Sequence, residues 1–522
     1  METFHFKKEY RYFIYGASIR GKAARKALEG AGYHVEAFFD RNADSFSDID
    51  GMKVYHPGRF EHGGFESAVV VVTITNSYEH PMIADYLYGL GYDKIVYLPF
   101  EGRLDTGVES DSFRSVYHRT LSGSIGEEDC FFKYAPALFD EQFQDGALIR
   151  ESGGDVVAFL PIELCFAAAA SGNGGESACS LGERVPLSIA NGDCVRYFKA
   201  IYGTAGQVRM AADELVCRRL GAHGKYERIE ESGTALLINR DAIFWRMFRA
   251  FQYSGMRYFI DRPIEVSWDG GVFFVRDGVQ RVCFFLALGL SSIPARMTRE
   301  DYVRWIHRDK LDACLAYIKE GRVAAAYAPI PHPNFRFFPA YRDIGGFTRL
   351  QKIGEVLAYN RVRVQDKKVL DAGSYYCYLS QFFARLGARV TAVEYEPSSS
   401  RFGALLNELL YCSGIRSVCC GLDRIDISQR FSFTIMLTVL YWYLDDPLGL
   451  EILRNVDAVT EDFLIWESGD RPEEEIRFIL EHSSFRTYLR LGETFGTGKI
   501  REMGIFCKEH VELRLPEWLD RR

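Results

Sequence analysis

A short apolar run that ends in a glycine turn constrains the fold of this chain more than any other stretch. The run Val369–Gly373 is predicted to be a strand and its turn, a helical pattern spans Leu379–Leu386, and a second strand, Val390–Val393, ends on Glu394. Strand, glycine turn, helix, strand and acid form the unit with which parallel sheets bind nucleotide-type ligands. The turn lets backbone N–H groups approach the ligand, and the acid accepts hydrogen bonds from ribose hydroxyls. The sequence therefore predicts such a site at the carboxyl edge of a parallel sheet.

This run resembles the first motif of class I S-adenosylmethionine (SAM) methyltransferases, commonly D-x-G-x-x-x-G, with a ribose-binding acid after the second strand. The resemblance implies that Asp371 and Gly373 line the methionine and ribose part of a SAM pocket and that Glu394 holds the ribose. It also implies that Ser374, Tyr375 and Cys377 of the same turn contribute to the pocket.

The turn departs from the family pattern at Cys377, which stands where the second glycine is usual, and bulky Tyr375 and Tyr376 fill the loop. A cysteine is accommodated there at a negative φ, but at a cost if φ must be positive. SAM binding therefore requires that the turn still leaves a hollow for the adenosyl group. Aromatic rings packed into that hollow would contradict the prediction.

Residues 326–522 are predicted to complete a methyltransferase-like sheet. The closing antiparallel hairpin, Thr487–Leu491 with Met503–Lys508, is typical of this fold and not of an ordinary nucleotide-binding domain. Asp423 is the expected partner of the adenine amino group. Methyl transfer needs in-line positioning and, for a hydroxyl acceptor, a base. Tyr441 and Tyr443 are the candidate catalytic residues facing the acceptor.

Residues 1–105 are predicted to form a doubly wound Rossmann-like unit. Its turn reads G-x-S-x-x-G, and its candidate nucleotide or phosphate ligands are Gly16, Ser18, Arg20, Gly21 and Asp40. Asp40 lies at the spacing of the dinucleotide motif. The layout resembles the N-terminal nucleotide-binding domains of sugar-modifying enzymes, which implies a nucleotide or nucleotide-sugar ligand. The alternative is a unit that keeps its glycines for packing, or that serves only as a docking module.

Residues 106–325 form the predicted central region. A segment at about 230–310 resembles the ParB/sulfiredoxin-like fold, with two strands, Asp277-Gly278-Val-Gln280-Arg281, a helix, a glycine and a strand. The resemblance implies that this turn binds nucleotide phosphates. Gln280 replaces the family histidine. The alternative is structural, with Asp277 and Gly278 making a turn and Arg281 pairing with a surface carboxylate.

Pro-rich residues 327–339 are predicted to be a linker laid over the surface between the central and C-terminal units, with His332 as a mobile histidine. Residues 105–128 and 171–177 are predicted to be a polar linker and a loop. Arg342, Arg349 and Lys352 lie on or before a predicted helix that ends at Tyr359.

Composition limits the classes of function. A chain of 522 residues with 48% hydrophobic content is expected to form several domains. Its net charge of -8 gives no reason to expect nucleic-acid binding. Its apolar runs are shorter than the roughly 20 residues that span a bilayer. The twelve cysteines include no C-x-x-C pair, which argues against a metal site or a disulfide framework and favours a reducing cytoplasm.

Together these patterns predict a multidomain α/β protein with an N-terminal Rossmann-like unit, a central ParB-like α+β unit and a C-terminal methyltransferase sheet. The expected function is a cytoplasmic SAM-dependent methyltransferase of bacterial surface-glycan (polysaccharide) metabolism, acting on a small-molecule or glycan acceptor such as a sugar or sugar-phosphate. Two alternatives remain. One is a nucleotide-dependent phosphotransferase or triphosphatase working through the central unit. The other is a non-catalytic pseudo-methyltransferase scaffold.

Overall fold

The computed structural model describes residues 6–97 apart from 42, 46–47, 61–64 and 75–78; 148–167; 184–203; 243–335 apart from 245, 249, 252–253 and 324; 338; 340; 349–496; and 499–520. These residues form a mixed α/β structure with three sheets. The predicted linker 105–128, the predicted loop 171–177 and Arg342 lie outside them. Within these ranges, no helix is long and apolar enough to cross a membrane.

The first sheet is parallel apart from one edge strand. Its elements are β1 Arg11–Tyr15, α1 Ile19–Gly30, β2 Val35–Phe39, β3 Asp48–Ile49, β4 Met52–Tyr55, β5 Ala68–Val72, α2 His80–Gly89 and β6 Lys94–Tyr97. The strand order is β3-β4-β2-β1-β5-β6. Alternate residues of β1 and β5 enter two different hydrophobic cores. The sheet is therefore covered on both faces, as its continuous β-branched strand predicts.

The second sheet is mixed and carries the helices of the central region. Its strands are β7 Leu148–Ser152, β8 Asp155–Pro161, β9 Cys165–Ala167, β10 Val185–Pro186, β11 Ile264–Asp269, β12 Val272–Asp277 and β13 Ser292–Thr298. The labelled helices are α3 Leu187–Ala190, α4 Gly192–Gly203, α5 Arg257–Asp261, α6 Val279–Ala287, α7 Arg299–Ile306 and α8 Arg308–Lys319. The strand order is β10-β9-β12-β11-β13-β8-β7.

The first and second sheets share a continuous hydrophobic core. Side chains of both sheets belong to the same buried cluster. At this joint the rings of Tyr88 and Phe251 lie 5.0 Å apart. The Met256 N–H donates to Oδ1 of Asp85 over 2.7 Å. The two sheets are therefore joined by apolar packing rather than by surface contacts alone.

The third sheet has five parallel strands and an antiparallel closing hairpin. Its strands are β14 Lys368–Ala372, β15 Arg389–Glu394, β16 Ile415–Cys419, β17 Phe431–Leu437, β18 Thr460–Glu467, β19 Phe485–Gly496 and β20 Lys499–Lys508. Its helices are α9 Arg349–Tyr359, α10 Tyr378–Arg385, α11 Pro397–Leu409, α12 Pro447–Val459, α13 Pro472–His482 and α14 Glu517–Asp520. The order is β16-β15-β14-β17-β18-β20-β19, and β20 runs antiparallel to both β18 and β19. The predicted closing antiparallel hairpin is present at one edge of this sheet.

The described residues of the proline-rich segment, 327–335 and 338, are buried apart from Tyr327, so the prediction of a surface linker is wrong for them. Phe335 and Phe338 pack in the hydrophobic cluster that joins α8 to α11. His332 is 1% exposed and its Nε2 lies 3.1 Å from the carbonyl oxygen of Ile306. Prolines exclude helix and strand, but they do not prevent apolar neighbours from burying a segment. His332 is therefore a fixed core residue whose burial lowers its pKa to about 3.

Candidate functional site at the carboxyl edge of the third sheet

Glu394 organises the edge formed by β14 and β15. Its Oε2 accepts a hydrogen bond from the Tyr375 N–H over 2.8 Å, and its Oε1 accepts one from the Glu396 N–H over 2.9 Å. The first bond joins the end of β15 to the turn that follows β14. Glu394 is therefore held in one orientation at the carboxyl edge, where the sequence placed the ribose-binding acid.

Asp371 holds the first helix of this unit. Its Oδ2 accepts hydrogen bonds from the backbone N–H of Ser380 over 3.1 Å and from the Ser380 hydroxyl over 2.6 Å. Burial raises the pKa of Asp371 to about 6, against the lowering effect of these two bonds. The carboxylate thus fixes the start of α10.

Three residues of the turn after β14 have positive φ. Gly373 has φ +81°, and an added Cβ would lie 2.5 Å from Cγ2 of Val439, so only glycine fits. Tyr375 and Cys377 also have positive φ, 48° and 63°. A non-glycine residue in this region costs roughly 1–2 kcal/mol. Cys377 therefore has the positive φ that the sequence analysis identified as unfavourable for a cysteine, and not the negative φ that would accommodate it.

Neighbouring atoms hold Cys377 in this conformation. It is buried, and its Sγ lies 3.9 Å from the Ser374 hydroxyl. An added Cβ at Gly403 of α11 would lie 3.0 Å from the same sulfur. Burial raises the pKa of the thiol to about 12. Cys377 is thus a neutral packing residue that closes the turn against α11.

The two tyrosines of the turn have different surroundings. Tyr376 is buried, and its ring packs edge-on against Phe402 at 4.9 Å, in the cluster below the turn. Tyr375 stacks on Tyr376 with ring centroids 3.8 Å apart and stays partly exposed. Tyr376 is therefore part of the hydrophobic core, whereas Tyr375 forms part of the site surface.

Tyr443 lies on the side of the edge that carries the acids. Burial raises the pKa of its phenol, and nearby Tyr395, Asp423 and Glu394 raise it further. Asp423 follows β16 in a 3-10 turn whose backbone oxygen accepts from Asn455 Nδ2 over 2.9 Å. Asp423 and Glu394 are thus close enough to Tyr443 to act on its phenol electrostatically.

Tyr441 lies on the other side of the edge. Its ring covers Gly469, where an added Cβ would lie 1.9 Å from Tyr441 Cγ, and the Arg501 guanidinium lies 5.7 Å from its centroid. Burial raises the pKa of Tyr441, opposed by Arg501 and increased by Asp470 and Tyr327. The two predicted tyrosines thus face different surroundings, with acids around Tyr443 and a cation beside Tyr441.

The structure adds Arg349 and Glu467, whose pairing the sequence reasoning missed. Arg349 begins α9 and is 6% exposed, and its Nη1 lies 3.5 Å from Oε2 of Glu467, which is fully buried at the end of β18. Glu467 also accepts hydrogen bonds from the Thr438 and Thr494 hydroxyls. The pair is 118 residues apart in sequence, so no local pattern connects it. The one sequence feature that pointed to Glu467 was its position at the end of a predicted strand.

No family model and no curated protein matches the chain. Part of it is similar in structure to magnesium protoporphyrin IX methyltransferase (ChlM) from Synechocystis PCC 6803 with bound SAM, at 19% identity and a TM-score of 0.26, covering 31% of this chain and 79% of that one. The bifunctional kinase-methyltransferase WbdD is similar at 20% identity and a TM-score of 0.32, over 38% of this chain and 47% of its own. EvdMO1 is similar at 13% identity and a TM-score of 0.25, over 30% of this chain and 41% of its own. The matched region thus spans about half of WbdD and less than half of EvdMO1.

The N-terminal turn is built on the same plan with true glycines. Asp40 Oδ2 accepts from the Ala17 N–H over 2.9 Å. Gly16 has φ +106°, and an added Cβ at Gly21 would lie 2.1 Å from the Gly16 carbonyl oxygen. Gly21 is therefore needed for packing.

The other predicted ligands of this turn are placed around the start of α1. Ser18 precedes the helix without a side-chain capping bond, Arg20 is its second residue, and Lys22 Nζ lies 3.3 Å from Asp50 Oδ1. Lys22 is thus paired within the protein. Nucleotide binding by this turn stays a prediction.

The central turn lines a cavity of about 630 Å³. Arg281 donates to the carbonyl oxygens of Arg262 and Pro263 and to the carboxylate of Asp277. Gly278 has φ +101°, and an added Cβ would lie 2.6 Å from Ile264. Arg281 thus supports the turn, as the structural alternative expects. Gln280 also lines the cavity and is exposed.

Side chains that could bind a metal ion are not clustered among the described residues. Among the described residues, no set of three or more His, Cys, Asp or Glu side chains is arranged to hold a metal ion. The described cysteines are free thiols, and all except Cys419 and Cys420 are buried.

Proposed function

We propose that the carboxyl edge of the third sheet binds S-adenosylmethionine and that the protein is a SAM-dependent methyltransferase. The observation that carries this proposal is the Glu394 carboxylate, fixed by the N–H groups of Tyr375 and Glu396 beside the glycine turn. In the same proposal Asp423 holds the adenine amino group, and Gly373, Ser374 and the backbone of Tyr375 line the ligand, whereas Cys377, also predicted to bind the cofactor, is buried in the packing against α11.

The residues present fit this ligand. A carboxylate oxygen accepts two hydrogen bonds, and each Glu394 oxygen accepts one from the backbone, so each retains an acceptor site for a ribose hydroxyl. Glycine at position 373 keeps Cβ atoms away from the start of the turn. Glu394 and Asp423 also give this side of the edge a negative charge, which suits a cationic ligand.

SAM, when bound, supplies an electrophilic methyl group on a positively charged sulfur. In this proposal Arg349, which pairs with Glu467 and interacts electrostatically with Asp371 at the end of β14, binds the methionine carboxylate. The raised pKa of Tyr441 keeps its phenol neutral, so Tyr441 would orient the acceptor by a hydrogen bond rather than remove its proton. Tyr443 belongs to the cofactor side of the edge in this arrangement.

A sugar or sugar-phosphate is the acceptor class that we propose, in surface-glycan metabolism. Two large aromatic side chains, Tyr395 and Trp442, are each 70% exposed at the carboxyl edge. The apolar face of a pyranose ring suits an indole or phenol face, and these two rings are available to solvent.

Calorimetric titration with S-adenosylhomocysteine (SAH) tests the cofactor proposal. We expect saturable binding with micromolar affinity. No heat at high micromolar ligand would overturn it and favour the scaffold alternative. Incubation of the protein with methyl-labelled SAM and free sugars, sugar-phosphates and nucleotide sugars tests the acceptor. Label on none of them, in a protein that binds SAH, would overturn the acceptor class alone.

The central cavity supports a second candidate function, a nucleotide-dependent phosphotransferase or triphosphatase. Four arginines line the cavity, Arg246, Arg262, Arg276 and Arg281, with Asp277 as their acidic neighbour. Arginine forks match phosphate geometry, and about 630 Å³ is a common volume for a small-molecule site. We also propose that the chain is divided into three units, with boundaries near residues 105 and 325, and that the central unit carries this second function.

Titration with ATP, CTP and a nucleotide sugar tests the second candidate. We expect at least one nucleotide to raise the melting temperature of the protein. Arg246→Ala leaves the Arg281 contacts intact and is expected to lower the affinity for that nucleotide. Equal stabilisation of wild type and Arg246→Ala would remove the cavity as the binding site. The Asp40→Ala variant tests the turn of the first sheet. If it binds nucleotide as tightly as wild type does, the first sheet is excluded as the nucleotide-binding site.

A further inference from the structure

A side chain of the second sheet holds the first residue of α10. Tyr378 begins this helix directly after the turn that follows β14. Its phenol donates a hydrogen bond to Oε2 of Glu163 over 3.1 Å. Glu163 lies in the short 3-10 turn Ile162–Leu164, which joins β8 to β9 of the second sheet. The bond therefore connects the second sheet to the turn of the proposed cofactor site.

This hydrogen bond lies beside an apolar joint between the two sheets. Tyr378 packs against the buried cluster that contains Phe166 and Val272 of the second sheet and Leu379 of α10. Burial and the nearby Glu163 carboxylate raise the pKa of the Tyr378 phenol, so the phenol stays protonated and remains a donor. A hydrogen bond to a carboxylate is stronger than one between neutral groups, and it gains further where water is displaced.

The conformation of the turn needs support from its surroundings. Tyr375 and Cys377 have positive φ, and non-glycine residues keep such a conformation only where neighbouring contacts impose it. Within the third sheet, Asp371 accepts two hydrogen bonds from Ser380 in the first turn of α10. Glu163 accepts one from the residue that immediately follows Cys377. The start of α10 is thus held by one carboxylate from its own sheet and by one from the second sheet.

We propose that Glu163 is a positioning residue of the cofactor site, which acts through Tyr378 on the turn after β14. This inference depends on the proposed function. The Tyr375 N–H donates to Glu394, and this bond fixes the proposed ribose-binding carboxylate. When Glu163 no longer holds Tyr378, the turn can relax toward negative φ at Cys377, and the Tyr375 N–H then moves away from Glu394. The cofactor site is thus completed by a residue from outside the third sheet.

Calorimetric titration of the full chain with SAH, for wild type, Glu163→Ala, Glu163→Gln and Tyr378→Phe, tests the proposal. Glu163→Ala and Tyr378→Phe remove opposite ends of one hydrogen bond, and each is expected to weaken SAH binding roughly 5- to 20-fold. Glu163→Gln keeps a carbonyl oxygen as acceptor and is expected to stay within about 3-fold of wild type. The double variant Glu163→Ala/Tyr378→Phe should bind SAH about as well as Tyr378→Phe does, because both changes break the same bond.

Tyr411→Phe is the matched control at the joint of the second and third sheets. The Tyr411 hydroxyl donates to the carbonyl oxygen of Arg304 in α7 over 2.6 Å. Because α11 begins at the carboxyl edge and runs back across the sheet, Tyr411, which follows it, lies at the opposite edge from the proposed site. Tyr411→Phe is therefore expected to keep the SAH affinity within about 2-fold of wild type.

The outcomes separate the two proposals. Wild type that does not bind SAH overturns the proposed function and this inference with it. Wild type that binds SAH, with a Tyr378→Phe variant that binds it as tightly, overturns the role of Glu163 alone. The same follows if Tyr411→Phe weakens SAH binding as much as Tyr378→Phe does. Circular dichroism and melting temperature establish that each variant is folded. If Glu163→Ala does not fold, the comparison of Tyr378→Phe with Tyr411→Phe decides the question.

Discussion

The turn after β1 and the turn after β14 have the same hydrogen-bonded framework built from different residues. In the first, Gly16 N–H donates to Phe39 O and Ala17 N–H to Asp40; in the second, Gly373 N–H donates to Val393 O and Tyr375 N–H to Glu394. In both turns the acid after the second strand holds the loop after the first.

The two turns differ in where backbone strain is placed. The first turn has glycine at its positive-φ position, Gly16. The second has Gly373 followed by Tyr375 and Cys377, both non-glycine residues with positive φ. Strained non-glycine residues persist where the surrounding structure forces them, and they cluster at functional sites. The turn that departs further from the glycine pattern is thus the one whose side chains form the site surface.

The largest expected difference between the two turns is in cofactor binding. Glu394→Ala removes a charged acceptor at the proposed ribose site and is expected to weaken SAH binding roughly 100-fold. The matched variant Asp40→Ala removes the equivalent acid of the first sheet and should leave the SAH affinity unchanged. Calorimetry measures both. Equal affinity in the two variants would contradict the assignment of the site to the third sheet.

The second difference concerns packing. Gly21→Ala places a Cβ 2.1 Å from a backbone oxygen, which has little freedom to move. We expect it to lower the free energy of unfolding by about 2 kcal/mol. Gly403→Ala in α11, whose Cβ would meet Cys377 Sγ at 3.0 Å, is the matched change and should cost less. Urea unfolding measures both, and a larger loss for Gly403→Ala would reverse the comparison.

The third difference concerns Asp371, whose counterpart in the first sheet is Ile14. The folded-state pKa of Asp371 is about 6, above its ordinary 3.8, so the native state binds more protons than the unfolded state between these values. The contribution of Asp371 to the free energy of unfolding therefore falls as the pH rises from about 4 to about 6. Asp371→Asn does not titrate and keeps an acceptor for Ser380. The free energy of unfolding of Asp371→Asn, relative to that of wild type, should therefore increase by up to roughly 2 kcal/mol between pH 4 and pH 6.

Urea unfolding at pH 4.5 and pH 7.5 measures this gain. Ser380→Ala, which keeps the titrating carboxylate, serves as the control and should retain the decline with pH. A constant difference between Asp371→Asn and wild type at the two values would show that Asp371 titrates normally.

The smallest expected effect is at Cys377. Cys377→Ala and Cys377→Gly both remove the buried thiol, but glycine adopts φ 63° without strain. The glycine variant should therefore be more stable than the alanine variant by about 1 kcal/mol. Chemical unfolding of the pair measures the difference directly. An alanine variant at least as stable as the glycine variant would mean that the turn relaxes to a negative φ.

Local patterns in the sequence were enough to predict the elements that carry the site. The strand before Asp371, the helix after Cys377 and the strand ending on Glu394 all lie where the periodicity placed them, within a few residues. The sign of φ at Cys377 was not predictable, because it depends on contacts with Gly403 of another helix.

Contacts between distant residues were out of reach of the sequence reasoning. His332 lies in a proline-rich stretch that has no periodicity, and its burial is set by Phe335, Phe338 and the neighbouring helices. Arg349 was noted only as a basic residue near a helix, since its partner Glu467 belongs to a strand far along the chain. Side-chain roles at the edge thus follow from the tertiary fold.

The joint between the first and second sheets has a consequence for how the molecule melts. Tyr88 and Phe251 belong to one buried cluster that runs through both sheets. If one sheet unfolds, the apolar side chains of the other sheet that pack against it become exposed to water. Unfolding of one sheet alone therefore costs free energy in both. Heating should therefore open these two sheets in a single cooperative transition, and a proteolytic fragment that contains just one of them should aggregate through its uncovered face.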